Sequence, residues 1–152
     1  MFKNVFLIGV GLINASLAKD LKRHQLADKI TGVGREKSRL AAAQKTGVID
    51  DFQLMQEMDV STADVIVVGV PVSKIKHIFE SIKPSLNSQT IVTDVGSSKA
   101  SVIAQALEVF GELPANLVPG HPIAGSEQSG FCLLYTSPSP RDQRGSRMPS
   151  SA

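Results

Sequence analysis

The most distinctive run of this chain, residues 120–127, reads Gly-His-Pro-Ile-Ala-Gly-Ser-Glu and contains one histidine. Imidazole changes charge near neutral pH, so His121 is a candidate for accepting a proton during a reaction. A lone histidine is more often structural than catalytic. This one, however, stands between a glycine and a proline, three residues after a short apolar segment, residues 117–118. We therefore interpret His121 as a catalytic candidate at the end of a buried strand.

A second polar run, Asp-Val-Gly-Ser-Ser-Lys at residues 94–99, follows another apolar segment, residues 90–93. Ligands of open α/β sheets bind beyond the carboxyl ends of the strands, where the loops after neighbouring strands meet. We therefore expect the hydroxyl of Ser97 and the imidazole of His121 to open into one crevice, with Asp94 at the strand end.

The elements that must position these loops show a regular alternation along the chain. Apolar runs predict strands at residues 5–8, 30–34, 65–68, 90–93 and 117–118. Amphipathic spacing predicts helices from residue 13 to about 24, at 35–46, at 75–82 and through an apolar face at 103, 106, 107 and 110. Residues 47–63 are expected to form a solvated turn and a short helix. The alternation predicts an α/β fold with a Rossmann-type, doubly wound parallel sheet.

A glycine-containing turn, Gly9-x-Gly11-x-x-Asn14, lies between the first strand and the first helix. The first glycine permits a tight turn, the second lets the backbone approach a pyrophosphate, and the helix start offers N–H groups. We predict a dinucleotide site that includes Gly9, Gly11, Leu12 and Ile13; a merely structural turn is the alternative. Asn14 replaces the usual glycine or alanine, so the helix and strand are expected to pack differently there.

The tip of the second strand bears on the choice between NAD and NADP. An acidic residue there would bind the ribose 2′-hydroxyl, but this chain has Gly34 followed by Arg35, which can bind a 2′-phosphate. The pattern favours NADP, whereas Glu36, one residue late, keeps NAD open. Val70 and Pro71 follow the third strand and are predicted to line the dinucleotide groove or simply to end the strand. Asp94 is assigned to the same cofactor site.

The composition excludes several functional classes. The hydrophobic share of 42% in 152 residues suits one domain with a core, and no apolar run is long enough to span a membrane. The excess of basic residues disappears without residues 132–152, which argues against nucleic acid as a partner. The single cysteine excludes a disulfide within the chain. We expect no metal and no membrane partner, and a soluble, cytoplasmic protein.

The last segment of the chain differs in character from the rest. Residues 132–142 and 146–152 back-translate readily into two parts of a transposon-type sequencing-library adaptor. We therefore expect residues 1–131 to form the nucleotide-binding domain and residues 132–152 to be a non-native or disordered tail. A natural tail rich in Ser, Pro and Arg is the alternative.

Together, the runs at residues 9–13, 94–99 and 120–127 resemble those of the prephenate/arogenate dehydrogenase family, and the resemblance covers residues 4–130. It implies NAD(P)-dependent oxidative decarboxylation of prephenate to 4-hydroxyphenylpyruvate in tyrosine biosynthesis, with arogenate as the alternative substrate. It also implies a C-terminal helical domain that closes the substrate pocket and forms a homodimer. Because nothing in residues 131–152 can supply this domain, we expect the chain to bind cofactor weakly and to turn over no prephenate.

The resemblance also implies individual roles. His121 would accept a hydrogen bond from the substrate hydroxyl, and Ser97 would bind either His121 or that hydroxyl. Ser126 and Glu127 would contact the substrate, with Glu127 shaping a polar wall. Lys99 would orient its loop or cap the following helix.

Two other functions remain open at this point. One is a different hydride-transfer enzyme with a similar N-terminal half, such as a β-hydroxyacid dehydrogenase or an imine reductase. The run at residues 120–127 argues against it, because those enzymes usually carry a catalytic lysine on a later helix. The other is a non-catalytic nucleotide-binding module, which would keep the glycine turn but would not need His121.

Overall fold

The computed structural model describes residues 1–122, in which six parallel strands form one sheet in the order β3-β2-β1-β4-β5-β6. The strands are β1 (Phe2–Ile8), β2 (Ala27–Gly34), β3 (Asp51–Leu54), β4 (Val65–Val68), β5 (Ile91–Asp94) and β6 (Leu117–Val118). The strand order reverses between β1 and β4, so a crevice opens there beyond the carboxyl ends of the strands. The predicted α/β, doubly wound parallel sheet is confirmed. The predicted tail, residues 132–152, lies outside the described residues.

Helices cover both faces of this sheet. They are α1 (Leu12–Arg23), α2 (Lys37–Lys45), α3 (Ile75–Ile82) and α4 (Lys99–Phe110), and 3₁₀ turns lie at Met55–Glu57, Val72–Lys74 and Lys83–Ser85. Side chains of a strand alternate between faces, so Val5 and Leu7 of β1 pack with α1 and α2, while Phe6 and Ile8 pack with α3 and α4. Burial on both faces explains the continuous apolar runs of the strands. No helix within residues 1–122 is long and apolar enough to span a membrane.

One strand differs from the sequence prediction. Asp51–Leu54 forms the edge strand β3, paired with β2, where a solvated turn was expected. Its side chains are only partly buried, and two acidic residues, Asp50 and Asp51, stand at its start. An edge strand is only partly covered, so polar residues are tolerated in it. With four residues that include Asp51 and Gln53, this strand has no apolar run that could be recognised in the sequence.

The buried face of α4 also differs from the prediction. Val102 and Ala106 are fully buried, whereas Leu107, which was assigned to the buried face, is 45% exposed. Two apolar stripes overlap on this helix, and periodicity cannot choose between them. The contact of Phe110 with Phe79 of α3, with ring centroids 5.6 Å apart, helps to fix the rotation.

The burial pattern predicts the cost of truncating core and surface side chains. Phe79 is 0% exposed at the centre of the core between α3, α4 and the sheet. Phe79→Ala should lower the free energy of unfolding by about 3–5 kcal/mol, because it leaves a cavity. Leu107→Ala, at the half-exposed position, should cost less than about 1 kcal/mol. Urea denaturation measures both; similar losses would contradict the observed rotation of α4.

Candidate functional site

The turn between β1 and α1 has the geometry that a phosphate requires. Gly9 has φ +85°, and a Cβ there would lie 2.6 Å from the carbonyl oxygen of Gly69, so only glycine fits. Gly11 is the N-cap of α1, and a Cβ on it would meet nothing within 4 Å. No side chain caps α1, and its first turn carries no acidic residue. The free N–H groups of this turn, with the positive end of the helix dipole, therefore fit a pyrophosphate.

Asn14 is accommodated in this turn by a hydrogen-bonding role. Its side chain is buried, and Nδ2 donates to the carbonyl oxygen of Gly9 at 2.8 Å and to that of Val67 at 3.4 Å. A Cβ on Gly69 would collide with this amide, so the glycine provides the space that the larger Asn14 needs. The amide thus ties the phosphate turn to the carboxyl end of β4. Its Oδ1 atom is buried without a partner within the described residues.

One buried carboxylate joins the two polar loops. Asp94, the last residue of β5, is 1% exposed, and its Oδ2 accepts from the backbone N–H of Gly96 at 2.8 Å and from the ammonium of Lys99. Its Oδ1 accepts from the backbone N–H of Gly120 at 3.1 Å. A Cβ on Gly120 would lie 2.6 Å from the carbonyl oxygen of Asp94, so this approach needs glycine. The residues next to Ser97 and His121 are therefore bound to the same side chain.

The catalytic candidates themselves face solvent. Ser97 and His121 are exposed, and no hydrogen bond joins them within residues 1–122. The structure thus brings their loops together without the predicted contact, and binding of Ser97 to the substrate hydroxyl stays a prediction. Ser126 and Glu127 lie outside the described residues. Among residues 1–122, no group of His, Cys, Asp or Glu side chains is arranged to bind a metal ion.

The alternatives for Lys99 can now be separated. Ser98, not Lys99, is the N-cap of α4, and its hydroxyl accepts from the backbone N–H of Ser101 at 3.4 Å. Lys99 pairs with Asp94 and so orients the loop. Both Asp94 oxygens are taken by protein donors, and a contact of Asp94 with cofactor stays a prediction.

Basic side chains follow the tip of β2 and differ in their partners. Arg39 pairs with Glu36 at 3.0 Å, and both side chains are exposed. Arg35 is also exposed and forms no ion pair or hydrogen bond within the described part of the chain. The carboxylate that could serve a ribose hydroxyl is therefore engaged, while the guanidinium beside Gly34 is available.

The loop after β4, residues 69–72, contains the predicted groove residues Val70 and Pro71. A Cβ on Gly9 would lie 3.2 Å from the side chain of Val70, and one on Gly96 would lie 3.2 Å from that of Val72. The loop thus lies against both the phosphate turn and the loop that carries Ser97.

Sequence reasoning missed one side chain that contacts this loop, Gln105 of α4. Its Nε2 donates to the carbonyl oxygen of Val72 at 3.1 Å, and its Oε1 accepts from the backbone N–H of Lys76 at 2.7 Å. A glutamine on a helix is ordinary, and these partners lie about 30 residues away in sequence, so no local signal could have revealed it.

Comparisons with known proteins agree with this geometry. A family model for the nucleotide-binding domain of prephenate dehydrogenase matches residues 17–133. The prephenate dehydrogenase of Lactococcus lactis is 33% identical over 130 residues, which cover 84% of this chain and 36% of that protein. The chain therefore spans little more than a third of that relative's length.

Solved structures of two relatives are also similar. The prephenate dehydrogenase of A. aeolicus, in complex with hydroxyphenyl propionate and NAD+, matches with a TM-score of 0.74 and 29% identity over 86% of this chain and 45% of that chain. The arogenate dehydrogenase of Synechocystis matches with a TM-score of 0.72 and 30% identity over 85% of this chain and 44% of that chain.

The buried carboxylate predicts a clear contrast between two aspartates. Asp94→Asn replaces one carboxylate oxygen, which accepts hydrogen bonds, by an NH₂ group that would face the N–H donors of the loops. It also removes the negative charge that pairs with the Lys99 ammonium. The free energy of unfolding should fall by about 3 kcal/mol, at the lower end for a buried pair because Lys99 is partly exposed. The amide signals of Gly96 and Gly120 should shift in the NMR spectrum.

Asp51→Asn is the matched control, because its ion pair with Lys29 is 2.8 Å long and both side chains are about half exposed. Lys29 lowers the pKa of the Asp51 carboxyl, yet this exposed pair should contribute less than about 1 kcal/mol. Equal losses in the two variants would show that Asp94 does not hold the loops.

Proposed function

This chain belongs to the prephenate dehydrogenase family, as its nucleotide-binding domain, and from that premise we propose that it binds NAD(P) in an enzyme that oxidatively decarboxylates prephenate. The product would be 4-hydroxyphenylpyruvate, on the route to tyrosine. One observation carries this proposal: Asp94 binds the backbone N–H groups of Gly120, next to His121, and of Gly96, next to Ser97, close to the glycine turn between β1 and α1. The homodimer and the cytoplasmic location expected from the sequence remain part of the proposal.

The turn between β1 and α1 is the part of the chain proposed to bind the cofactor. The N–H groups at the start of α1, with Gly9 and Gly11, would hold the pyrophosphate without a side-chain charge. When bound, the nicotinamide supplies a hydride acceptor. Asn14 keeps the phosphate turn against β4, the strand beside the switch point, so the turn is already formed before the cofactor arrives.

In the proposed reaction, the imidazole of His121 accepts a hydrogen bond from the substrate hydroxyl. This contact reduces the positive charge that develops on the hydroxyl-bearing carbon as its hydride departs. Carbon dioxide then leaves, and the electron pair of the broken bond makes the ring aromatic. Because the Asp94 carboxylate fixes Gly120, the backbone before His121 is already in place. Ser97, on the other bound loop, is available to contact the same hydroxyl.

A second substrate, arogenate, is supported by the similarity to the Synechocystis arogenate dehydrogenase. Prephenate and arogenate differ only in the side chain that carries the keto or amino group. Full-length enzyme assayed with each compound, at matched concentrations, separates the two by the ratio of their kcat/KM values.

The role of His121 can be tested in the full-length enzyme that contains this domain. His121→Asn should lower kcat by about 10²- to 10⁴-fold, the usual contribution of a general base, and leave the Kd of the cofactor nearly unchanged. His77→Asn, an exposed histidine on α3, is the control and should change neither value. Unchanged turnover in His121→Asn would remove the catalytic assignment and favour a non-catalytic nucleotide-binding module.

We further propose that the site prefers NADP to NAD, because Arg35 is unpaired at the tip of β2 while Glu36 is engaged by Arg39. Arg35→Ala should weaken NADP+ binding by the 152-residue chain about tenfold or more, since a charge-assisted hydrogen bond contributes about 1.5–3 kcal/mol. Binding of NAD+, which lacks the 2′-phosphate, should hardly change. Arg23→Ala, which removes an exposed arginine at the carboxyl end of α1, is the control and should change neither affinity. Calorimetry that finds tighter NAD+ than NADP+ binding in the unchanged chain would refute this preference.

A further inference from the structure

We propose that Gln105 is a positioning residue for the dinucleotide site, although it lies on α4 and outside every predicted motif. Its amide would hold the loop of residues 69–72 against the phosphate turn on one side and against the Ser97 loop on the other. This inference rests on the proposed function, since it assigns a role within the same cofactor site.

The side chain of Gln105 meets two opposite requirements at once. Lys76 lies in the first turn of α3, where a backbone N–H needs an acceptor from outside the helix. The N-cap residue of this helix, Lys74, does not supply one from its side chain. Gln105 Oε1 supplies that acceptor at 2.7 Å. The carbonyl oxygen of Val72, which already accepts from the backbone N–H of Ile75, accepts a second hydrogen bond from Nε2 at 3.1 Å. The amide of a glutamine offers a donor and an acceptor on two separate atoms of one side chain.

The loop of residues 69–72 has few other polar anchors. The backbone N–H of Gly69 donates to the carbonyl oxygen of Ile8 at 2.7 Å, and that of Lys74 donates to Pro71 at 2.8 Å. Within residues 1–122, Gln105 is the one side chain that hydrogen-bonds to the backbone of residues 70–72. Local backbone hydrogen bonds join the carboxyl-terminal half of this loop to the start of α3, and Gln105 is its side-chain link to α4.

A shift of this loop would reach both halves of the site. Its residues Gly69 and Val70 lie so close to Gly9 that an added Cβ there would be 2.6 Å and 3.2 Å from them. At the other end, Val72 lies equally close to Gly96, whose backbone N–H is bound by Asp94. Loss of the Gln105 amide would therefore let residues 69–72 move relative to Gly9 and the turn between β1 and α1. It would do so without removing any residue proposed to contact the cofactor.

The test uses the 152-residue chain with two variants and one control at the same helix interface. Gln105→Met removes both hydrogen bonds at similar size, and Gln105→Glu keeps the acceptor for Lys76 but places a carboxylate oxygen against the Val72 carbonyl. Glu108→Gln is the control, because it removes the charge of the exposed Lys76–Glu108 pair, 2.7 Å long, and leaves Val72 untouched. Calorimetry gives the Kd for NAD+ and NADP+, and NMR reports the backbone amide signals of Gly9, Gly69 and Gly96.

We expect both Gln105 variants to bind the dinucleotides about three- to tenfold more weakly and to shift the Gly9 and Gly96 signals, whereas the control does neither. A fall in thermal stability with an unchanged Kd and unshifted glycine signals would show that Gln105 only stabilises the packing of α3 against α4. That result would overturn the inference. If the unchanged chain binds neither dinucleotide, the proposed function fails instead. The glycine signals then still decide whether Gln105 positions the loop.

Discussion

The hydrogen bonds of the Asp94 carboxylate are the constraint on which the rest of the site depends. A carboxylate that is 1% exposed must satisfy its lone pairs within the protein, and here it does so with donors from two loops and one helix. The Lys99 ammonium balances its charge. If the two loops moved apart, the buried Oδ1 atom would lose its donor, the backbone N–H of Gly120, so this arrangement disfavours such a conformation.

Helix α4 connects this cluster to the cofactor side of the crevice. Its first residue, Lys99, binds Asp94, and Gln105, nearly two turns later, binds the loop after β4. The rotation of α4 about its axis places Lys99 near Asp94 and Gln105 near Val72. The same rotation buries Val102 and Ala106 rather than Leu107. The packing of the core and the placement of the loops after β4 and β5 thus depend on the orientation of one helix.

The phosphate turn shows how a departure from a common pattern is compensated. Asn14 stands where a small residue is usual, and the added volume is accommodated at Gly69. Its amide contributes hydrogen bonds to the ends of β1 and β4. Pattern reasoning identified the departure but could not supply the compensation, because Gly69 is distant in sequence and lies in a different βα unit.

The sequence by itself determined the fold class, the strand alternation and the placement of residues 94–99 and 120–122 after strand ends. These features follow from local periodicity and from the rule that parallel strands present their carboxyl ends on one edge. Only the tertiary structure decided that Asp51–Leu54 pairs as an edge strand, which stripe of α4 is buried, and which donors reach Asp94. Each of these depends on contacts between residues far apart in the chain, and such contacts leave no periodic trace in either partner's own segment.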